Sequence, residues 1–303
     1  MEELKIENNT NNTSSIKKKT LFRFRWLSVA KYGVITLGIA VVLFAIFLFF
    51  FPLARKYTIV YIKRATHFIY APPPSHQIIV GQKPLSPPSF SVHGIDVSHH
   101  NNTIKWDQVK YIFGSHDTLS FVFIKATEGG NHVDTLFHTN WENSKKSNLL
   151  RGAYHYFKPN IPAEQQTLWF IKNVTLLPGD LPPVIDVEES RFAWRYSLDQ
   201  EVLSMVKYLE AYYQVKPIIY TSHNFYEIYF SGEEFANYPF WIARYTYHHR
   251  LSTLDFWEFW QHSETGTVTG IKGAVDVNVF AGTISDLRKL TVGADTLSPS
   301  KQK

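Results

Sequence analysis

Cysteine is absent from this chain of 303 residues, which excludes disulfides, thiolate zinc sites and cysteine nucleophiles at once. No H-E-x-x-H pattern occurs, so neither a metal nor a cofactor is expected. Positive charge is scarce where a nucleic-acid footprint would need it. Residues 1–70 hold eleven Lys and Arg against three acids, and residues 71–303 hold twenty against twenty-three. The folded part is therefore slightly acidic, and no nucleic-acid partner is expected. No internal repeat is visible. Between Tyr32 and Ala54 charge is missing altogether.

That uncharged run, GVITLGIAVVLFAIFLFFF at its centre, is long enough as a helix to span about 30 Å of hydrocarbon. It is long for the apolar region of a signal peptide, and FFFPLARK lacks a small-residue cleavage pattern. The expectation is an uncleaved membrane anchor over 32–54, preceded by a basic segment, 1–31. Lys17, Lys18, Lys19, Arg23, Arg25 and Lys31 outweigh the Arg55, Lys56, Lys63 and Arg64 of the other flank. The positive-inside rule then leaves the N-terminus in the cytoplasm and the large domain outside it, in a bacterial cell envelope. Residues 55–91, with six prolines after residue 70, read as a juxtamembrane and spacer segment. Residues 92–290 form the main domain, and 291–303 a tail.

From Ser91 onward, short apolar runs alternate with amphipathic ones. Strands are expected at 91–98, 120–127, 151–157, 182–188, 216–222, 240–245, 258–263 and 274–280. Helical patterns run from Asp134 to Ser147, Ala163 to Val174 and Leu198 to Gln214, and thin out after Tyr245. This alternation predicts an α/β fold with a mainly parallel sheet, and eight strands suggest an irregular TIM-type barrel. Carboxylates stand at the strand ends. In LPPVIDVEES, Asp186 and Glu188 share one face while Ile185 and Val187 occupy the other. Asp96, and Asp276 with Asn278, have the same phase on the first and eighth strands, which become neighbours on closure. Acids at single strand ends are commonly solvated caps. Several held on one rim instead favour protonation of one near neutral pH, as a glycosidase requires.

The strings GIDVSHH, FVFIKATEG, LRGAYHYF, PPVIDVEE, WIARY, FWQHSETGTVTGI and VDVNVF, in this order, resemble family 25 of the glycoside hydrolases, the N-acetylmuramidase-type lysozymes. The likeness runs from about Val92 to Gly282. It implies a flattened, incomplete β/α barrel and cleavage of the β-1,4 bond from N-acetylmuramic acid to N-acetylglucosamine in peptidoglycan. It also implies Glu188 as the acid that protonates the leaving oxygen, Asp186 as its partner, and Asp96 and Asp276 as supporting acids. Many secreted relatives add wall-binding repeats; this chain carries an expected membrane anchor instead.

Tyr156, Tyr220, Trp260 and Asn278 are candidate sugar contacts, although the tyrosines and the tryptophan serve equally as core. His93, His99 and His100 near Asp96 invite a metal reading that no ligand spacing supports. Lys125 and Glu128 read as a structural ion pair. Two other functions stay open: an inactive saccharide-binding module on the same fold, and a barrel glycosidase acting on another N-acetylated glycan such as chitin. Retention of Asp186 and Glu188 weighs against the first. Val184, where a D-x-x-D-x-D-x-E pattern would need an acid, weighs against the second. Asp186 and Glu188 approach the sugar from one side, which fits attack by the substrate's own 2-acetamido group; the rival is single displacement with Asp96 or Asp276 activating water.

Overall fold

The computed structural model describes residues 36–47, 49–50, 90–112, 117–190, 198–245 and 257–294. Residues 1–73 and 74–303 form two separate units. In the first, 36–47 and 49–50 are helical with exposed apolar side chains. Among the described residues no helix is long and apolar enough to cross a membrane. The rest of the expected anchor 32–54, the basic segment 1–31, the linker as far as residue 89 and the tail from 295 lie outside the described residues.

Among the described residues the second unit has nine strands: Val92–Val97 (β1), Leu119–Glu128 (β2), His132–Val133 (β3), Leu150–Tyr156 (β4), Val184–Asp186 (β5), Ile218–Ser222 (β6), Phe240–Ala243 (β7), Phe259–Gly266 (β8) and Val275–Phe280 (β9). Their hydrogen-bonded order is β1, β9, β8, β7, β6, β5, β4, β2, β3, and β1 also pairs with β2. Eight strands therefore close a barrel, while β3 is a short ribbon on the end of β2. The helices Phe137–Asn143, Ala163–Asn173 and Leu198–Tyr213 fall inside the three expected spans. In the last, Leu198, Val202, Met205, Val206 and Leu209 recur every three or four residues and are buried, the stripe that docks a helix on a sheet.

One feature of the expected rim is corrected. β9 runs antiparallel to both β1 and β8, so it does not present its C-terminal end with the others. Its first residues do so instead, and Asp276 stands directly opposite Asp96. An antiparallel pair needs no crossover helix, and β8 passes to β9 without one.

Inward side chains fill the barrel in layers. Phe123 on β2 and Trp241 on β7 come from opposite walls and stack with centroids 4.6 Å apart. Phe259 meets Phe121 and Phe123 edge-on at 5.3 Å. Small residues make room for these rings: a Cβ on Gly94 would lie 2.3 Å from Phe121, and one on Gly152 2.6 Å from Phe123. The barrel is thus plugged by aromatics, and only the inward positions near one mouth are left for polar groups. The folded body also reaches past 290. The Val292 amide donates to the Asp180 carbonyl at 2.8 Å, and the Gly179 amide donates to the Val292 carbonyl at 3.0 Å.

Candidate active site

The plugged barrel opens on a pocket of about 380 Å³ lined by Asp96, Lys125, Tyr154, Tyr156, Asp186, Glu188, Tyr220, Trp241, Gln261 and Asp276, with Ser98, His100 and Asn101 at its edge. Period-2 alternation delivers these side chains. On β5, Val184 packs in the barrel and Asp186 follows it on the same face, with Glu188 two residues beyond. Asp186 is buried and Glu188 is exposed at the mouth.

Oδ2 of Asp96 accepts from Asn278 Nδ2 at 2.8 Å and from Gln261 Nε2 at 2.9 Å. Asn278 Oδ1 accepts from the Trp241 indole at 2.8 Å. Gln261 Oε1 accepts from the hydroxyls of Tyr220 and Tyr245, both at 2.7 Å. Asp186 differs: its Oδ1 is buried with no hydrogen-bond partner among the described residues. A buried acceptor without a donor is costly to fold, and this one borders an open pocket.

Electrostatics follow the crowding. Burial pushes the Asp186 carboxyl well above the usual range; the Glu188 charge adds to this and Lys125 opposes it. Enclosure by the pocket walls raises Glu188, against the effect of the Tyr220 hydroxyl. Burial raises Asp96, with its amide donors pulling the other way. Asp276 is pushed up to about 9 by burial, then by the charge and hydrogen bond of Asp96. Burial and mutual charge therefore raise the proton affinity of all four carboxyl groups at the mouth, the direction a general acid needs.

A cationic wall stands on the β2 and β4 side. Lys125 Nζ pairs with Glu128 at 2.7 Å, and Lys158 Nζ bridges Glu128 at 3.1 Å and Glu189 at 2.9 Å. The two ammonium groups lie 4.7 and 4.5 Å from the centre of the Tyr156 ring, whose hydroxyl donates to Glu189. The Lys125 and Glu128 pair expected from sequence is present, and Lys125 also faces the pocket.

Not every expected sugar contact reaches the pocket. Asp96, Asp186, Glu188, Asp276, Tyr156 and Tyr220 line it. Trp260 does not: it packs with Phe90 and Trp257, and its indole donates to the Arg244 carbonyl at 2.9 Å. Its neighbours Phe259 and Gln261 take the inward face of β8, so alternation turns Trp260 out. Asn278 is fully buried against Asp96 and Trp241, a support for the acid with no pocket surface. Residues the sequence reading missed are Gln261, Tyr245 and Trp241; the inward phase of Gln261 and Trp241 was the available signal. The histidines diverge. His99 Nδ1 meets Asp134 at 2.6 Å, His93 Nε2 lies 3.7 Å from Asp117, and His100 borders the pocket.

Residues 95–271 match the family described as Glycosyl hydrolases family 25. YegX from Escherichia coli O6:H1 is 40% identical over 237 residues, covering 78% of this chain and 85% of that protein. Lysozyme M1 from Streptomyces globisporus is 34% identical over 214 residues, covering 66% of this chain and 71% of that protein. Among solved structures, a bacterial lysozyme from Streptomyces coelicolor aligns with a TM-score of 0.58 at 30% identity, covering 68% of this chain and 99% of that one.

Proposed function

The chain belongs to family 25 of the glycosyl hydrolases, and from that premise we propose that it is a lysozyme cleaving the β-1,4 bond between N-acetylmuramic acid and N-acetylglucosamine in peptidoglycan. It is a glycoside hydrolase by family. The observation that carries the finer reading is the convergence of four carboxyl groups with elevated proton affinity on one pocket.

In this reading Glu188, accessible and protonated, gives its proton to the glycosidic oxygen as the C1–O bond breaks. The 2-acetamido carbonyl oxygen of the muramic acid closes on C1. Asp186 accepts the amide N–H on its otherwise unpartnered Oδ1 and stabilises the positive charge that develops. Glu188, now a carboxylate, takes a proton from water as that water opens the cyclic intermediate at C1. The product keeps its β configuration, and Glu188 regains its proton. Asp186 and Glu188, roughly 6.5 to 7 Å apart at Cα, sit on one side of the sugar, which favours this route over a double displacement. Tyr156 and Tyr220 border the sugar, while Trp260 has no part in the reading.

Residues 32–54 are proposed to tether the domain on the outer side of the membrane, on the strength of their uncharged sequence and cationic N-terminal flank. Digestion of purified peptidoglycan by the full chain tests the activity: muramic acid at the new reducing ends supports it, and its absence removes it. Proton NMR of the product before mutarotation tests the route, since an initial α anomer contradicts assistance by the acetamido group.

A further inference from the structure

Two carboxyl groups facing one another across β1 and β9 do not both ionise, and hydrogen-bond direction decides which one keeps the proton. An indole N–H can only donate. Trp241 Nε1 therefore fixes Oδ1 of Asn278 as its acceptor at 2.8 Å, and the Asn278 amide must turn its N–H to Asp96 Oδ2 at 2.8 Å. Rotating that amide would set N–H against N–H at one end and oxygen against carboxylate at the other. Gln261 supplies a second amide to the same carboxyl group. Its Oε1 takes two tyrosine hydroxyls and its Nε2 donates to the same Oδ2 at 2.9 Å. Both hydroxyls are held far above their ordinary range, chiefly by burial, so they stay protonated and able to donate. Asp96 Oδ2 accepts two amide hydrogens, and donation of this kind favours the ionised form of Asp96. Asp276 has no such amide clamp among the described residues.

We propose that Trp241 acting through Asn278, and Tyr220 with Tyr245 acting through Gln261, are positioning residues that fix the negative charge on Asp96 and the proton on Asp276. Within the muramidase reading, on which this rests, Asp96 is then the stationary anion facing the charge that develops on the sugar. Asp276 enters as a hydrogen-bond donor and cannot serve as the base that activates water. Burial and the Asp96 charge, which hold the Asp276 carboxyl high, act in the same sense. The other groups facing the pair are Asp186 at the end of β5, Glu188 just beyond it, Glu264 on β8, Lys125 on β2 and Tyr154 on β4. None of them donates to Asp96 Oδ2.

Carboxyl carbon NMR of the full chain, with the two resonances assigned through Asp96→Asn and Asp276→Asn, tests this without reference to activity. In the wild-type protein at pH 7, Asp276 should be the protonated member and Asp96 the ionised one. Trp241→Phe, which keeps a ring and removes the N–H, should lower the Asp276 midpoint by about one pH unit, a tenfold change in proton affinity. It should also shift the pH–rate profile and lower kcat more than it raises KM. A proton found on Asp96 in the wild-type protein overturns the proposal, even where Trp241→Phe fails to fold. Unchanged midpoints in a folded Trp241→Phe overturn it as well. A protein inert on peptidoglycan with the predicted titration would instead overturn the muramidase reading and leave the relay standing.

Discussion

Asp96 on β1 and Asp276 on β9 are direct partners in an antiparallel ladder, so the fold itself holds two carboxyl groups against each other at the mouth of the barrel. The Asp276 carboxyl, pushed up to about 9, lies far above its ordinary 3.8. A raised carboxyl contributes stability below its unfolded value and loses it as pH climbs towards the folded value. Asp276→Asn should therefore flatten the decline in stability between pH 4 and 9 and stabilise the protein at pH 8 by about 1 to 2 kcal/mol, while activity falls roughly tenfold or more. Urea denaturation across that range measures it. A variant less stable than wild type at pH 8 contradicts the assignment.

Glu188→Gln keeps shape and hydrogen bonding and removes the proton. Loss of a general acid costs on the order of 10² to 10⁴ in rate, and an exposed rim position leaves folding intact. Wild-type turnover by a folded Glu188→Gln protein excludes Glu188 from the chemistry.

His155 titrates in the opposite sense. It is buried between Thr127 at 2.7 Å and Gln166 at 3.1 Å, and burial lowers it from 6.5 to about 4. Its stabilising contribution is complete above 6.5 and drains away as pH falls to 4, with a slope of up to about 1.4 kcal/mol per pH unit. His155→Gln should be less stable at pH 7, and its stability should depend less steeply on pH between 6.5 and 4. Parallel curves for the two proteins refute this.

The barrel was legible because alternation and length mark strands whatever the fold. The positions of Asp96, Asp186 and Glu188 were legible for the same reason. What alternation cannot report is direction: VDVNVF reads alike in either sense, so the reversal of β9 and the register that sets Asp276 opposite Asp96 came only from the structure. Aromatic character alone marks Trp260 as a sugar contact, and phase overrules it, since Phe259 and Gln261 hold the inward face. Gln261 was missed because a lone amide carries no chemistry until its partners are known.

If residues 32–54 tether an outward-facing domain, protease added to intact spheroplasts should digest the domain. Digestion only after lysis reverses the orientation and removes access to the wall.

The central claim is settled most directly by the identity of the sugar released. Purified peptidoglycan digested with the full chain, then reduced with borohydride and hydrolysed, should yield N-acetylmuramitol-derived product in step with turbidity loss, and none with Glu188→Gln. N-acetylglucosaminitol in its place, or no reduced amino sugar from a folded wild-type protein, contradicts the account.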